Sequence, residues 1–555
     1  MKKIIFFFFI CIIIFPHLCS GEISHEEQLN KGIKNSEPYS YLLIEKSRTN
    51  STEAKSLLEK SLHYSPDLPA VYFELSKASF HLNTDGIFES IDYIIQGISA
   101  YKRNFWWMFS LVTSLYVSLI FSFLISILVI IIIRLPKDIS LVSHDIKEEK
   151  SKILLLFILI FAIFGPLYVL GGLLILISFY MKKWDRLVAY FYLLFLLAAI
   201  WIFDIFSIGF IAPASGDVKA VIQVNESKGN SYAISVLQNK NNPIELFSYA
   251  LALKREGHYS EAINIYNKVL NQKTDPKTYN NLANCYTIIG DFEKAKELYQ
   301  KSIELVPLAS TLYNLSQVYR ETLNFEKGDK YFVEAQKLDR EAVSRFREIF
   351  SRNPNRFVID EVIPMQTLME YTLGKATGSF TMGLSIAPAS FMPVIAIVMA
   401  VIFYIITGRF RNRAYRCNRC GKILCIKCEK HIHWGNMCSQ CYRSIIKLDE
   451  LESKERIARL LKVYEFRKKK REIIKILTLI IPGSGQIYAG DLLNGILFLW
   501  PFLFFLFIPI TGKIFNIEMF NFSHFWLNII SIFLLILVYF LSNIITRRRL
   551  SKGWL

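Results

Sequence analysis

Long apolar blocks alternate with polar stretches along this chain, and the pattern predicts several membrane-spanning helices. A membrane helix needs about 20 consecutive apolar residues, and six blocks approach or exceed that length. They lie at Phe105–Ile133, Ile153–Tyr180, Leu187–Ala212, 389–408, about 492–511 and about 525–545. Hydrophobic residues make up 52% of the chain. Because the excess is concentrated in these blocks, we expect an integral membrane protein of mainly α class.

The second block, within a membrane region over 105–212, lacks the pattern of a simple span. Gly165-Pro166 and Gly171-Gly172 interrupt it, and the loops on both sides carry the Lys and Arg residues typical of cytoplasmic loops. A single span would place those loops on opposite faces of the membrane. We therefore expect residues 153–180 to form a re-entrant or kinked hairpin between two spans. A tilted ordinary span is the alternative.

The polar N-terminal region begins with a targeting pattern. Residues 1–21 contain a basic end and a short apolar core, followed by small residues, which is typical of a secretory signal peptide. Residues 22–104 then show apolar positions at helical spacing, broken at Pro66. We expect a helical, extracytoplasmic domain over 22–104.

A turn recurs with a period of 33 residues in the second polar region, 213–345. Its copies begin at Gly257, Gly290 and Leu323. Each has a small residue at a matched place before it and an aromatic residue after it. These residues are Ala250, Ala283 and Ser316, and Tyr266, Tyr299 and Phe332. In spacing and type they resemble the tetratricopeptide repeat (TPR) family over about 242–340, which implies a solenoid of stacked helix pairs.

The resemblance implies that a partner protein binds in a concave groove, although it locates no contact residue. The pattern over 22–104 resembles the same family more weakly. We expect residues 226–241 to supply a helix that covers one end of the repeats. Residues 346–388 are expected to be a tether, with a strand near Arg356–Ile363 and a short helix at Met365–Leu373.

Six of the nine cysteines form three Cys-x-x-Cys pairs within the region 409–445. They are Cys417/Cys420, Cys425/Cys428 and Cys438/Cys441. We group the first pair with the third, 17 residues further on, as a closed four-sulfur site for structural zinc in a zinc-ribbon-like module, because only four residues separate the first two pairs. Gly421 permits the tight turn that a thiolate pair needs. Cys425 and Cys428 hold a second zinc ion with His431 or His433, or they are reduced thiols or redox partners. An iron–sulfur cluster is a further alternative, and Cys285 is predicted to be a buried core residue.

The distribution of charge predicts the orientation. The net charge is +18, and residues 409–475 contain 20 Lys/Arg against 7 Asp/Glu. Arginines directly after the span at 389–408 indicate the cytoplasmic side, and metal-binding thiols need a reducing compartment. Both arguments place the Cys-rich module inside a bacterial inner membrane and the repeats outside it. The basic excess favours contact with the lipid membrane, and no nucleic-acid partner is expected, because no reading motif accompanies it.

The C-terminal part is predicted to return to the membrane. Residues 446–475 read as a basic amphipathic helix, and residues 476–545 as a membrane module of two spans followed by a cytoplasmic tail over 546–555. The segment Pro482–Gly490 is similar to the Pro-Gly-x-Gly-x-x-Tyr-x-Gly turn that opens small two-helix membrane modules in bacteria. Its proline and glycines predict a bend at the inner surface.

These features favour a non-enzymatic inner-membrane scaffold. The repeats would bind a partner protein, and the zinc module would dock a second partner or the membrane surface. We identify no catalytic residues and no small-molecule substrate. One alternative is a transporter or membrane-enzyme subunit centred on the hairpin at 153–180 and on Asp204, since carboxylates within membrane segments are usually functional. Another is a redox or metal sensor that uses the cysteine cluster.

Overall fold

The computed structural model describes most of the chain in two compact units. The described residues are 25–50, 52–145, 161–352, 358–376, 391–409, 414–425, 428, 437–446, 453–515 and 525–552. We call residues 1–109 with 211–375 the repeat unit, and residues 110–210 with 376–555 the apolar unit. The signal peptide expected over 1–21 lies outside the described residues, as do His431 and His433.

The first half of the chain contains two groups of helices. The N-terminal group belongs to the repeat unit and consists of α1 (His25–Asn30), α2 (Glu37–Thr49), α3 (Ala54–Tyr64), α4 (Pro69–Ser79) and α5 (Thr84–Ala100). The apolar helices that follow are α6 (Phe105–Asp145), α7 (Pro166–Ser178) and α8 (Leu187–Ala214).

The second half returns to the repeat unit and then to the apolar unit. The repeat helices are α9 (Gly216–Asn225), α10 (Ser231–Leu237), α11 (Pro243–Arg255), α12 (Tyr259–Gln272), α13 (Pro276–Ile289), α14 (Phe292–Leu305), α15 (Ala309–Glu321), α16 (Phe325–Leu338), α17 (Arg340–Arg352) and α18 (Met365–Ala376). The remaining elements are α19 (Met392–Arg409), β1 (Tyr415–Arg416), β2 (Ile423–Leu424), α20 (Ser439–Ile445), α21 (Ser453–Ile480), α22 (Ser484–Ala489), α23 (Leu492–Ile514) and α24 (Phe525–Ser551).

Local sequence signals delimit the helix pairs of the repeats. Pro243 and Pro276 begin α11 and α13, where the missing N–H of proline costs no helical hydrogen bond. The side chain of Asp291 caps α14 by accepting from Lys294 N, and Asn324 caps α16 in the same way through Lys327 N. The 33-residue period therefore corresponds to one helix pair with its own start and stop signals.

The repeated residues form the core of these pairs. Ala250, Ala283 and Ser316 are fully buried, as the small positions require where helices approach closely. Tyr266 and Tyr299 are fully buried as predicted, whereas Phe332 in the last pair is only half-buried. Cys285 is also fully buried, which confirms its prediction as a core residue.

The N-terminal helices, expected as a domain over 22–104, belong to the same compact unit as the repeats expected over 213–345. The backbone N–H of Lys34 donates to Ser227 O at 2.9 Å, and Asn230 Nδ2 donates to Lys31 O at 2.8 Å. Residues 226–241, expected to supply a helix at one end of the repeats, contain α10 and also bond to the N-terminal helices. The pattern missed this because the apolar helices α6–α8 separate the partners in sequence.

A buried charge cluster lies at this junction. Glu226 Oε2 is 2.8 Å from Lys228 Nζ, which is 2.7 Å from Glu37 Oε1. The backbone N–H of Phe105 donates to the carboxylate of Glu226. Burial raises the pKa of Glu226 to about 7, although Lys228 opposes that shift. Glu226 therefore binds a proton more tightly in the native fold than in the unfolded chain.

Replacing Glu226 with Gln is expected to flatten the pH dependence of stability. The ordinary pKa of 4.5 rises in the native state, so folded protein retains a proton that unfolded chain releases. Wild-type stability should therefore fall as pH rises from about 4.5 through 7, by about 2–3 kcal/mol between pH 5 and 8. Unfolding of the full chain in detergent at both pH values measures this. Glu293→Gln, at an exposed position, is the control. If the free energy of unfolding changes equally with pH in wild type and in Glu226→Gln, Glu226 is not the group responsible.

Four described helices are long and apolar enough to cross a membrane: α6, α8, α23 and α24. The helix α6 has 41 residues, so residues 134–145, expected to lie in a loop, are helical. The apolar part of α19, Met392–Ile405, is among the shorter apolar helices. It nevertheless contributes Met392, Met399 and Phe403 to the apolar core.

The interrupted block at 153–180 is described from Phe161 onward. The helix α7 begins at Pro166, which confirms the break at Gly165-Pro166. Its 13 residues span about 20 Å, less than a bilayer core. Gly171 and Gly172 lie inside α7 and do not break it, contrary to expectation. Gly171 allows close packing instead, since a Cβ there would lie 3.1 Å from side-chain atoms of Leu196 and Met399.

The glycine-rich segment after α21 forms the predicted bend. Gly483 has φ of +83° and precedes the short helix α22. Its N–H donates to Ser542 Oγ at 3.1 Å, and Gln486 Nε2 donates to Thr546 Oγ1 at 2.7 Å. These bonds join the bend to α24, so the two C-terminal apolar helices and the turn form one packed module.

Replacing Gly483 with Ala is expected to destabilise this module by about 2–4 kcal/mol. An added Cβ would lie 2.1 Å from Gly495 O, and the positive φ disfavours any side chain. The matched control is Gly374→Ala in α18, where an added Cβ meets nothing within 4 Å. Thermal unfolding of detergent-solubilised protein should distinguish the two variants, and similar midpoints would contradict the close packing at Gly483.

Candidate peptide-binding groove and metal centre

Residues 358–363, which we call the resident segment, lie in extended form against the first helices of the repeats. The described part of the expected tether over 346–388, residues 358–376, thus packs on the repeat helices. The strand expected near Arg356–Ile363 pairs with no other strand among the described residues. Its backbone hydrogen bonds go to side chains of the repeat helices instead, and the helix predicted at Met365–Leu373 follows as α18.

Two asparagines pair with the backbone of the resident segment as a neighbouring strand would. Asn314 Oδ1 accepts from Ile359 N at 2.7 Å, and its Nδ2 donates to Ile359 O at 2.8 Å. Asn281 makes the same two bonds with Glu361, both at 2.8 Å. Asn281 and Asn314 are 33 residues apart, so equivalent positions of successive repeats hold alternate residues of the segment.

A third asparagine continues the series at the next alternate residue. Asn225 Oδ1 accepts from Ile363 N at 2.8 Å, and Asn225 Nδ2 donates to Ser248 Oγ at 2.8 Å. Ser248 is 33 residues before Asn281 and is too short to reach the segment in the same way. Asn225 from α9 therefore takes the place of the repeat asparagine at this end of the groove.

Two further asparagine side chains donate to the carbonyl oxygen of Ile359. Asn280 Nδ2 and Asn284 Nδ2 donate to Ile359 O at 3.1 and 2.9 Å. The hydroxyl of Tyr299 donates to Asn284 Oδ1 at 2.6 Å and fixes the orientation of that amide. The buried aromatic residue that identified the repeat thus also positions a groove residue.

One carboxylate of the segment enters a buried cationic pocket. Asp360 forms ion pairs with Lys254 and Arg255 at the end of α11. The three side chains are only 4–5% exposed. Asn284 Nδ2 also donates to Asp360 Oδ1 at 2.9 Å. Because removing one partner of a buried ion pair leaves an uncompensated charge, this pocket requires an anion.

Polar contacts hold the neighbouring residues. Ser310 Oγ donates to Glu361 Oε1 at 2.5 Å, and Lys277 Nζ lies 3.2 Å from Glu361 Oε2. In α18 the hydroxyl of Tyr371 donates to Glu245 Oε1 at 2.7 Å. A cavity of about 410 Å³ lies beside the segment within the repeat unit, with Val358 and Pro364 in its wall. The groove therefore has room beyond its present occupant.

The residues that line the groove were not predicted from the sequence. The 33-residue spacing of Asn281 and Asn314 was available as a signal, because buried asparagines at matched positions have no role in a purely apolar core. Lys254 and Arg255 gave no such signal, since basic residues near a helix end are usually solvent-exposed.

The second candidate site is the four-cysteine cluster grouped in the sequence analysis. The sulfurs of Cys417, Cys420, Cys438 and Cys441 lie within 4.8 Å of one another. Sulfurs at the corners of a tetrahedron around zinc, with Zn–S bonds of about 2.3 Å, are about 3.8 Å apart. The Sγ atoms of Cys420 and Cys438 are 3.8 Å apart. The donor set and its spacing therefore suit a metal ion that prefers thiolates.

The local fold presents these sulfurs in the usual manner of a metal knuckle. The strands β1 and β2 pair antiparallel, with Tyr415 opposite Leu424. Gly421, at φ of +77°, closes the turn through its N–H, which donates to Cys417 O at 3.0 Å. Cys438 N donates to Cys417 Sγ at 3.4 Å, a contact that stabilises a thiolate.

The cluster already favours one ionised thiol. Cys441 donates a hydrogen bond to Cys417, which lowers the pKa of Cys417 to about 4 and raises the pKa of Cys441. Metal binding needs deprotonated sulfur, so the first ligand is available at neutral pH. The described apolar core around the cluster adds only Leu424 and Val463 as buried residues besides the cysteines.

Cys425 and Cys428 meet a histidine that the sequence analysis did not consider. Their Sγ atoms are 3.6 Å apart, and Cys428 Sγ is 3.4 Å from His144 Nε2. The three residues form a second group able to hold a metal ion. His144 is in the last turn of α6, so an apolar helix supplies the third potential ligand among the described residues. His431, the ligand expected from the sequence, lies outside the described residues.

The end of α6 is fixed to the Cys module independently of this group. The carboxylate of Asp145 accepts from Ala414 N at 2.9 and 3.0 Å, and the hydroxyl of Tyr180 donates to it at 3.0 Å. Arg416 Nη2 donates to Lys137 O at 2.7 Å. His144 is therefore held near the cysteines by bonds that do not depend on a metal.

Comparison with known families supports the repeat assignment. Two tetratricopeptide repeat family models match the chain, at residues 276–307 and 309–341. These matches cover α13–α16 and include Asn281 and Asn314. No curated protein matches the chain. The preceding helix pair, α11–α12, contains the same small and aromatic core positions although neither match extends to it.

Proposed function

We propose that this protein is a non-enzymatic, membrane-anchored scaffold whose TPR solenoid binds an extended segment of a partner protein. TPR repeats generally mediate protein–protein interaction, and the matched repeats carry the groove. The observation that carries the proposal is the pairing of Asn281 and Asn314 with both backbone groups of Glu361 and Ile359. A groove that already binds one extended segment has the donors and acceptors to bind another.

We further propose that the anchor lies in a bacterial inner membrane, with the repeats outside and the cysteines inside. Four helices of sufficient length and hydrophobicity support a membrane location. The arginines after α19 support the orientation, as does the need of metal-binding thiols for a reducing compartment. The hairpin over 153–180 would then return to the inner face, in keeping with the short helix α7.

The metal in this proposal is zinc, with a structural role. Four sulfurs from Cys417, Cys420, Cys438 and Cys441 leave no open coordination position, which suits structure rather than catalysis. A second ion at His144, Cys425 and Cys428 would join the Cys module to α6. The module would then dock a second partner or the inner membrane surface through the basic helix α21.

A metal sensor is the second candidate function, and the exposure of the second group favours it. Cys428 is exposed, and only three ligands meet there among the described residues. An accessible three-ligand site exchanges its ion more readily than a closed one. If adding or removing the metal changes how much partner is captured, a metal sensor is favoured over a purely structural metal site.

Affinity purification from crosslinked membranes tests the scaffold. Wild-type chain and Asn267→Leu, an exposed substitution on α12, should capture the same partner. The double variant Asn281→Leu/Asn314→Leu should lose it, because four backbone hydrogen bonds disappear. A partner captured equally by all three chains, or by none, would contradict binding through the groove.

A further inference from the structure

We propose that the resident segment is a built-in competitor, and that the partner which displaces it is an extended peptide with an acidic residue at the position of Asp360. This inference rests on the proposed function and specifies its partner and its regulation. Three features of the groove carry it: backbone pairing, the buried cationic pocket and the covalent attachment of the segment.

Backbone pairing makes the groove tolerant of sequence. Asn314, Asn281 and Asn225 bind N–H or C=O groups of residues 359, 361 and 363. Every non-proline residue carries the same two groups, so another extended chain can form the same bonds. The contacts with alternate residues require an extended peptide and exclude a helical one.

The cationic pocket supplies the selectivity. Lys254 and Arg255 are almost completely buried and pair with Asp360. A displacing peptide without a carboxylate at this position would leave two buried cations facing each other, which is strongly unfavourable. Lys277, 3.2 Å from Glu361, favours a second acidic residue directly after the first. The partner therefore carries an acidic pair, or a single acidic residue, within an extended apolar stretch.

Covalent attachment makes the resident segment effective even if its intrinsic affinity is modest. A tethered ligand acts at an effective concentration in the millimolar range. A free partner must compete with it, so the partner's apparent affinity equals its intrinsic affinity multiplied by the fraction of time the groove is empty. The segment continues directly into α18, so displacement from the groove frees the chain immediately before that helix.

A labelled peptide with the sequence of residues 357–365, Phe-Val-Ile-Asp-Glu-Val-Ile-Pro-Met, is the probe. It should bind full-length Asp360→Lys protein in detergent at least tenfold more tightly than wild type, because the resident segment no longer fits the cationic pocket. A peptide with Lys in place of Asp should bind at least tenfold more weakly to the same protein. Equal affinity of the first peptide for both chains would overturn the proposal.

Hydrogen exchange provides a test that needs no substituted chain. Saturating peptide should raise the exchange of the amides of Ile359, Glu361 and Ile363 in wild-type protein, while α13 and α15 stay protected. Peptide binding without that rise would overturn displacement. If two differently tagged copies capture each other through residues 358–363, a second copy is the occupant and a foreign partner is excluded.

Failure of this inference is distinguishable from failure of the proposed function. If a partner is captured through Asn281 and Asn314 but Asp360→Lys leaves capture unchanged, the groove binds partners and the resident segment does not compete. If the groove variant captures the partner as well as wild type, the proposed function itself fails.

Discussion

Replacing both Asn281 and Asn314 with leucine is expected to release the resident segment and to increase amide exchange at Ile359 and Glu361 by about 10³-fold. Four backbone hydrogen bonds disappear together, and each contributes about 1 kcal/mol. The roughly 4 kcal/mol lost corresponds to about three orders of magnitude in the opening equilibrium. Hydrogen exchange read by mass spectrometry on the full chain measures the effect.

The control for this experiment is Asn267→Leu, which changes the same residue type on the exposed face of α12. It should leave exchange of the segment unchanged. The helices α13–α16 must retain their protection in the double variant for the comparison to hold. If these helices stay folded and the amide hydrogen exchange of Ile359 and Glu361 does not change, the pairing of Asn281 and Asn314 with their backbone groups is contradicted.

Replacing Cys438 with serine is expected to remove one zinc ion and to unfold the β1–β2 hairpin and α20. Structural zinc contributes apparent binding free energies of about 10–16 kcal/mol, and the described core beside the cysteines adds only Leu424 and Val463 as buried residues. Metal content of the purified, reduced protein gives the stoichiometry. Exchange protection at Cys417 and Gly421 reports the fold of the hairpin.

Gln440→Ala is the matched control, because Gln440 is exposed on the same helix. His144→Ala separates the two metal groups: it should lower the zinc content by one ion while the hairpin stays protected. Retention of all zinc by Cys438→Ser would exclude the four-sulfur site. Retention of all zinc by His144→Ala would exclude the second group.

Periodicity was sufficient to predict the repeats and the apolar helices, because both depend on local spacing. The 33-residue recurrence of Ala250, Ala283 and Ser316 reports the close approach of helices within each pair, and this packing is independent of the rest of the chain. The break at Gly165-Pro166 and the bend at Gly483 were equally local, since proline and glycine constrain their own backbone.

Contacts between distant segments were not predictable in this way. His144 is 284 residues from Cys428, and no spacing rule connects a helix end to a Cys-x-x-Cys pair at that range. The strand predicted near Arg356–Ile363 forms no ladder with another strand in its described part, residues 358–363. The pattern could not show that the hydrogen bonds go to asparagines 45–138 residues earlier rather than to a strand.

The N-terminal helices illustrate the same limit. Residues 22–104 and the later repeats were assigned to separate domains because α6–α8 intervene. Asn35 Nδ2 nevertheless donates to Glu226 O at 2.9 Å across 191 residues, and the charges of Glu37, Glu226 and Lys228 meet at the junction. Charged residues in a sequence usually indicate exposure, so a buried cluster of this kind gives no pattern to detect.

Site-specific photocrosslinking from position 310 in intact cells tests the central claim most directly, because Ser310 contacts Glu361 inside the groove. We predict an intramolecular adduct to the resident segment and a second adduct to another protein. Asp360→Lys should strengthen the second adduct, and Asn281→Leu/Asn314→Leu should abolish it. Adducts confined to the chain itself in wild type and in Asp360→Lys would contradict a groove that binds a partner.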